Sequence, residues 1–225
     1  MHILIVVATA PEIAPLQDRM KYVAGEEGNQ TFMLNDAYVT IVITGVGMVA
    51  TAAATGYYLG KKGYDLVINA GICGAFNPDL KIGEVVNVTR EYVPELGVRD
   101  QDQFIHAFDM GLADKNARPY DNGWLFLHKR TQAFSDLRVC SGVTVNTVTG
   151  NADSIQAIKL MCNPDVETME GAGFISGAGM STWAAVQIRS VSNYVEVRDK
   201  SKWNIPLAIA NLNDVLFTEL SRITS

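Results

Sequence analysis

The strongest constraint on what this chain can become is a series of short segments rich in Val, Ile and Leu: His2–Val7, Tyr38–Thr44, Leu66–Ala70, Glu84–Val93, Arg138–Thr144 and Ala184–Val191. A strand with one wet face alternates apolar and polar residues. Near-continuous apolar runs instead predict strands covered on both faces. Between them the spacing predicts helices over Glu12–Tyr22, Met48–Lys61, Ala152–Met161, Gly171–Met180 and Ile205–Thr218. Strands and helices in alternation favour right-handed crossovers with helices on both sides of the sheet. The expected fold class is therefore α/β: one domain of 225 residues, three-layered, with a central, mostly parallel mixed sheet flanked by helices. A hydrophobic content of 48% is enough to fill such a core.

Several partner classes drop out on composition. The chain carries 24 acidic against 18 basic residues, net charge -6, with no long basic run, so a nucleic acid is not an expected partner. The N-terminal MHILIVVATA is apolar but lacks a basic flank and runs into Pro11 and Glu12; it reads as a first strand, not a secretion signal. The uncharged stretch from Ala37 to Gly60 raises the question of a membrane span. Its β-branched half gives way to Gly45-Val46-Gly47 and an alanine-rich segment, which reads as strand, turn and buried helix. No membrane partner is expected. Three widely spaced cysteines, Cys73, Cys140 and Cys162, fit buried thiols in a reducing, cytoplasmic setting better than disulfides. The histidines His2, His106 and His128 have no ligand spacing and read as surface or loop residues, so neither a metal nor a cofactor is expected.

In open α/β sheets ligands collect beyond the carboxyl ends of the strands. Four places qualify: Ala8 to Glu12, Gly45-Val46-Gly47, Gly71-Ile72-Cys73-Gly74, and Ser192-Asn193. Each has an ordinary structural reading as well. Glu12 after Pro11 suits the first turn of a helix, the glycines suit tight turns, and Asn193 suits a turn after a strand. Glu167-Thr168-Met169-Glu170 sets two acids before a small-residue helix, where Glu170 is also a plausible helix-start acid and Met169 a core filler. From Pro94 to Phe134 the periodicity fades, as in a binding loop or lid.

Taken in order, these segments carry a resemblance. Glu12 after the first strand, then VITGVGMVAT, VINAGICGAFNPDLKIGEVV, ETMEGAG and RSVSNYV resemble the nucleoside phosphorylase superfamily, specifically its hydrolytic branch. The likeness spans nearly the whole chain except about 94–134. Within that branch the tail VSNYVEVRDKSKWNIPLAIANLN is similar to that of the futalosine hydrolases.

The resemblance implies an enzyme that cleaves a purine from ribose, with a small nucleoside as partner and a homo-oligomeric assembly whose sites are completed by a neighbouring subunit. Glu12 would activate water, and Glu170 would bind the ribose hydroxyls with Met169 against the sugar. Gly74, Ile72 and Thr149 would also line the substrate site. Phe104 and Arg99, in the irregular segment, would meet the 5′ substituent and its carboxylate. Related methylthioadenosine nucleosidases carry an aspartate where this chain has Asn193; an amide both donates and accepts, which matches a 6-oxo base such as the hypoxanthine of futalosine. Phosphorylases of the superfamily carry an arginine just before the central glycines, and here that position is Asn69. Between Met1 and Val98 only Arg19, inside a predicted helix, and Arg90 occur, which favours water over phosphate. The alternatives are a methylthioadenosine-type nucleosidase, a uridine or purine phosphorylase, or a nucleotide-sensing module without turnover.

Overall fold

The computed structural model describes residues 1–26, 28–101, 103–127, 131–179, 183–197 and 199–225. In chain order the elements are β1 (His2–Val7), α1 (Ala10–Gln17), β2 (Lys21–Glu26), β3 (Asn29–Leu34), β4 (Ala37–Ile43), α2 (Met48–Lys61), β5 (Leu66–Ala75), β6 (Val85–Tyr92), β7 (Gly97–Asp100) and β8 (Gln103–His106). They continue with β9 (Tyr120–Asp121), β10 (Trp124–Phe126), β11 (Arg138–Thr144), α3 (Ala152–Cys162), β12 (Val166–Thr168), α4 (Gly171–Gly179), β13 (Ala185–Tyr194) and α5 (Ile205–Ile223).

Strand β1 shows why the apolar runs are uninterrupted. Ile3, Ile5 and Val7 pack with Ile13, Leu16, Leu212, Leu216 and Leu220 of α1 and α5, while Leu4 and Val6 pack with Phe174 and Ile175 of α4 on the opposite face. A strand sandwiched this way has no wet side, so period-two alternation disappears. β1 pairs in parallel with β4 and β5, and β13 continues the parallel block from β5. Antiparallel pairings join β12 to β5, β13 to β6, β2 to β3 and β3 to β4. Because β13 touches both β5 and β6, the strands β5, β12, β11, β6 and β13 close into a ring. All five send side chains into one cluster: Cys73 and Ala75, Val166, Cys140, Val86 and Val88, and Val191.

The glycine-rich α4 owes its composition to α2. Cβ atoms at Gly173 and Gly177, one turn apart, would run into the Met48 backbone and the Thr55 side chain, so only glycine lets these helices lie so close.

Several expectations need correction. The first helix ends at Gln17, leaving Arg19 beyond it, and Tyr22 belongs to β2, which pairs with β3 in an edge hairpin. Helix α2 is not a buried helix: it fully buries only Thr51 and Thr55, with Val49 79% and Tyr57 56% exposed. Gly71 to Gly74 do not form a turn; they lie within β5, and Asn193 lies within β13 rather than after it. The 94–134 region contains the β7–β8 hairpin and the short β9 and β10, the last of which extends the main sheet through β6. His106 is buried, its Nε2 3.1 Å from the Val93 carbonyl and its ring against Tyr92 and Phe108, whereas His128 lies outside the described residues, as does Met180 at the expected end of α4. Cys73 and Cys140 are buried free thiols and Cys162 is half-buried.

Candidate active site

A cavity of about 370 Å³ opens at the carboxyl ends of β1, β5 and β13. Glu12 forms part of its wall, and the first turn of α1 holds it there. Thr9 is the N-cap, and both its backbone N–H and its hydroxyl donate to Glu12 Oε2, at 3.0 and 2.7 Å. The other oxygen accepts the Ile72 N–H of β5 at 3.1 Å. The helix-start reading of Glu12 and its place in the site are thus the same arrangement. A buried side chain from α5 secures it further. Asn213 accepts the Leu16 N–H at 3.0 Å and donates to the Glu12 carbonyl at 2.9 Å, splicing itself between the two groups that an uninterrupted helix would join directly.

Glu170 enters from the turn between β12 and α4. Its Oε1 accepts the N–H of Gly47, the N-cap of α2, at 3.1 Å, a position that the helix dipole favours for an anion. Its Oε2 lies 3.6 Å from Nη1 of Arg189, a guanidinium on β13 that is completely shielded from solvent. Arg189 Nη2 donates to Asn69 Oδ1, and Asn69 Nδ2 donates to the Val6 carbonyl at 3.0 Å. Nη1 and Nε carry no hydrogen bond. Gly71 lies between this arginine and Glu12: a Cβ there would meet Arg189 Nη1 and Glu12 Oε1.

Asn193 is presented by a bulge. Val191 pairs with Cys73 and Asn193 with Gly74, which leaves Ser192 as the extra residue that re-aims the strand. Ser192 donates its hydroxyl to Asn193 Oδ1 at 2.8 Å, and Asn193 Nδ2 donates to the Tyr194 carbonyl at 3.0 Å. Since a carbonyl only accepts, the nitrogen must face Tyr194, and the amide orientation is fixed. One N–H and one oxygen lone pair remain for the cavity.

A model of the family described as the phosphorylase superfamily matches residues 2–220. The chain belongs to the phosphorylase superfamily. It is 30% identical to the futalosine hydrolase of Streptomyces coelicolor over 78% of this chain and 76% of that one. It is also 30% identical to the futalosine hydrolase of Acidothermus cellulolyticus, over 93% and 86%. The crystal structure of S-adenosylhomocysteine nucleosidase from Streptococcus pyogenes in complex with 5-methylthiotubericidin superimposes with a TM-score of 0.80 at 20% identity, covering 99% of this chain and 97% of the other.

Within this superfamily fold, Glu12, Ile72, Gly74, Met169, Glu170 and Asn193 all line one cavity. Thr149, Phe104 and Arg99 do not. They line a second cavity, of about 460 Å³, that shares Val148 with the first. Arg99 is exposed on β7 and paired across the hairpin with Phe104. Phe108 and Trp124 are anchors: with Tyr92, His106 and Tyr120 they form an aromatic cluster, and Arg90 stacks on Trp124. Trp203, Ile205, Ile209, Pro11 and Val46 add an apolar part to the lining of the first cavity. Among the described residues no cluster of three potential ligands could hold a metal ion, and no helix is long and apolar enough to cross a membrane.

Arg189 and Glu167 are the site groups that sequence reasoning missed. Arg189 stands in the RSVSNYV segment, outside the Met1–Val98 span in which arginines bear on the choice between water and phosphate. Its burial could have been inferred from a charge embedded in the apolar run AVQIRSV, which requires a partner.

Proposed function

We propose that this chain is an N-ribosyl hydrolase that cleaves futalosine with water to hypoxanthine and dehypoxanthine futalosine, a step in menaquinone biosynthesis. The observation that carries the reading is a single cavity in which two carboxylates, Glu12 and Glu170, stand beside an amide, Asn193. Breaking an N-ribosyl bond develops positive charge on the sugar and negative charge on the base. Glu170 is suited to the ribose hydroxyls and to the cationic sugar, with Met169 against its face. Glu12 is suited to deprotonate a water. Asn193 offers a donor to O6 and an acceptor to N7–H as hypoxanthine leaves.

Water is favoured over phosphate on electrostatic grounds. A phosphate dianion at the attack position would face both carboxylates, and the arginine beside them already serves Asn69 and Glu170. Incubation with futalosine, with and without phosphate, is expected to release hypoxanthine and a free sugar hydroxyl in both cases. Turnover that requires phosphate would overturn hydrolysis. The apolar lining residues Trp203, Ile205 and Ile209 favour a second reading, a methylthioadenosine-type nucleosidase, because a thioether would sit well against them. Adenine release from methylthioadenosine exceeding hypoxanthine release from futalosine would select it.

The proposed working form is a homo-oligomer in the cytoplasm. The uncharged face of α2 leaves Val49 and Tyr57 exposed, and the β7–β8 hairpin exposes Val98 beside Arg99. In this reading the hairpin reaches the site of a second copy and brings Arg99 and Phe104 to the 5′ substituent. Light scattering that shows only a monomer at assay concentration would remove this part.

A further inference from the structure

We propose that Glu167 reads the N1 position of the base and makes this site select 6-oxopurines. The inference rests on the reading of Asn193 as the amide that faces the base, and it concerns the opposite edge of the ring.

Glu167 lies on β12, only 5% exposed, and lines the same cavity as Glu12, Glu170 and Asn193. Its Oε1 accepts the Thr149 N–H at 3.0 Å. Its Oε2 is buried and has no hydrogen-bond partner. A carboxylate oxygen shielded from water and left without a donor is unfavourable unless something that enters the cavity supplies one. Burial pushes the Glu167 carboxyl above its ordinary range, and the charge on Glu95 adds to this, so a donor arriving at Oε2 would relieve an existing penalty.

The strand register says where that donor would be. Glu167 pairs with Gly74, and Gly74 pairs with Asn193, so the three stand in one row across β12, β5 and β13. Side chains paired across neighbouring strands rise on the same face. The carboxylate and the amide therefore flank Gly74, where a Cβ would come within 2.9 Å of the Val195 side chain and 3.3 Å of Asn193 Nδ2. This leaves a slot with a glycine floor, an amide on one edge and a carboxylate on the other. A 6-oxopurine placed with O6 and N7 toward the amide turns its N1–H toward the carboxylate. A 6-aminopurine in the same pose presents the N1 lone pair instead, acceptor against acceptor. A site built to pair an N–H rejects the analogue that lacks it.

Glu167→Gln is the informative variant. The Thr149 N–H demands an acceptor, so the glutamine oxygen stays on it and the NH₂ turns to the slot. There it opposes an N1–H and matches a bare N1. The kcat/KM ratio of futalosine to aminofutalosine should fall by roughly ten- to a hundredfold. Loop anchoring alone would leave the ratio unchanged, because the bond to Thr149 survives. A second arm uses the wild-type protein: calorimetry should show 1-methylhypoxanthine binding at least about tenfold more weakly than hypoxanthine. Equal binding of the two bases, or an unchanged ratio in a folded variant, overturns the assignment while leaving futalosine hydrolysis standing. Binding that discriminates at N1, in a protein that releases no base from any nucleoside, keeps the assignment and overturns the hydrolase reading. A protein that binds no purine loses both.

Discussion

Two kinds of buried carboxylate, Glu12 and Glu170 at the cavity and Glu91 within the sheet, are built on different plans. At the cavity, Glu12 is surrounded by fixed donors, two of them backbone N–H groups, and Glu170 lies between the start of α2 and a guanidinium. Deeper, Glu91 on β6 is completely shielded and bonded only to neutral side chains: Gln187 at 2.6 Å, Thr144 at 3.0 Å and Thr168 at 3.3 Å. Gly142 and Gly171 leave the space it fills, since a Cβ at either would strike its carboxyl group. The first group faces a space where a reaction can use its charge. The second fastens strands together: Thr144 and Thr168, which donate to Glu91, also accept the N–H groups of Ala172 and Gly171 and so hold the turn that bears Glu170. Altering the first should cost rate, and altering the second should change stability.

The sharpest way to break this contrast is Glu12→Gln. The amide keeps the shape and an acceptor oxygen for either the Ile72 or the Thr9 donors but turns its NH₂ onto the other, so the protein should fold with its melting temperature lowered by only a few degrees. Base release should drop by about 10²–10⁴-fold, the usual worth of a positioned general base. A verified mutant with near-normal turnover would remove Glu12 from the mechanism. A large loss of stability would erase the distinction between the two groups.

Much of this arrangement is legible in the sequence alone. The apolar runs placed β1, β4 and the first halves of β5 and β13, because strands buried on both faces announce themselves by composition. Glu12, Glu170 and Asn193 were legible through the order of motifs, and they converge on one cavity. What escaped was of two kinds. The β2–β3 hairpin has an outer strand whose six residues are all exposed, so no buried-strand run marks it, and its first two residues, Lys21 and Tyr22, read as the end of the preceding helix. Glycines at 71 and 74 read locally as a turn, whereas they extend β5 past its apolar run and keep its surface clear for Glu12, Arg189 and Asn193. The partners of Arg189, Asn69 and Glu170, are set by strand neighbours and turns that no local pattern encodes. Glu167 was visible as an acid, but its role depends on a register across three strands.

Base choice offers a second test, now within the cavity group. Asn193→Asp exchanges an amide that both donates and accepts for a group that accepts only or, when protonated, donates once. A 6-oxo base loses a donor and a 6-amino base gains an acceptor. The ratio of futalosine to aminofutalosine cleavage should shift by at least about tenfold toward the amino substrate, the consequence of one mismatched buried edge. If Asn193 only shapes the bulge, melting will change and the ratio will not.

A smaller effect is expected from the exposed hairpin, which belongs to neither group. Arg99→Ala should raise KM for futalosine several-fold, in line with the loss of about 1 kcal/mol from an exposed charge pair, and leave inosine unaffected. Equal losses on both substrates would exclude a contact with the 5′ carboxylate.

The last test addresses Glu91 and uses pH. Burial pushes its carboxyl up to about 7, against the pull of Gln187, Arg189, Thr144 and Thr168, from an ordinary value of 4.5. In the folded chain it therefore keeps a proton that the unfolded chain has already released over the interval between those values. Where the native state binds more protons, stability falls as pH rises. The wild type should lose stability through Glu91 from about pH 4.5 to 7, with the full loss in place above. The acid form also has a natural acceptor, because Gln187 Oε1 has no partner and a turned amide would accept a hydrogen bond from the Glu91 O–H. Glu91→Gln cannot ionise and escapes the loss. Its Tm relative to wild type should rise between about pH 5 and pH 8 by several degrees, corresponding to on the order of 1–3 kcal/mol. Taking the difference between the two proteins cancels groups common to both, including Glu167 and Asp165. A gap that stays constant with pH would mean that Glu91 ionises as easily inside the sheet as in water. The two carboxylate groups would then differ in position but not in chemistry.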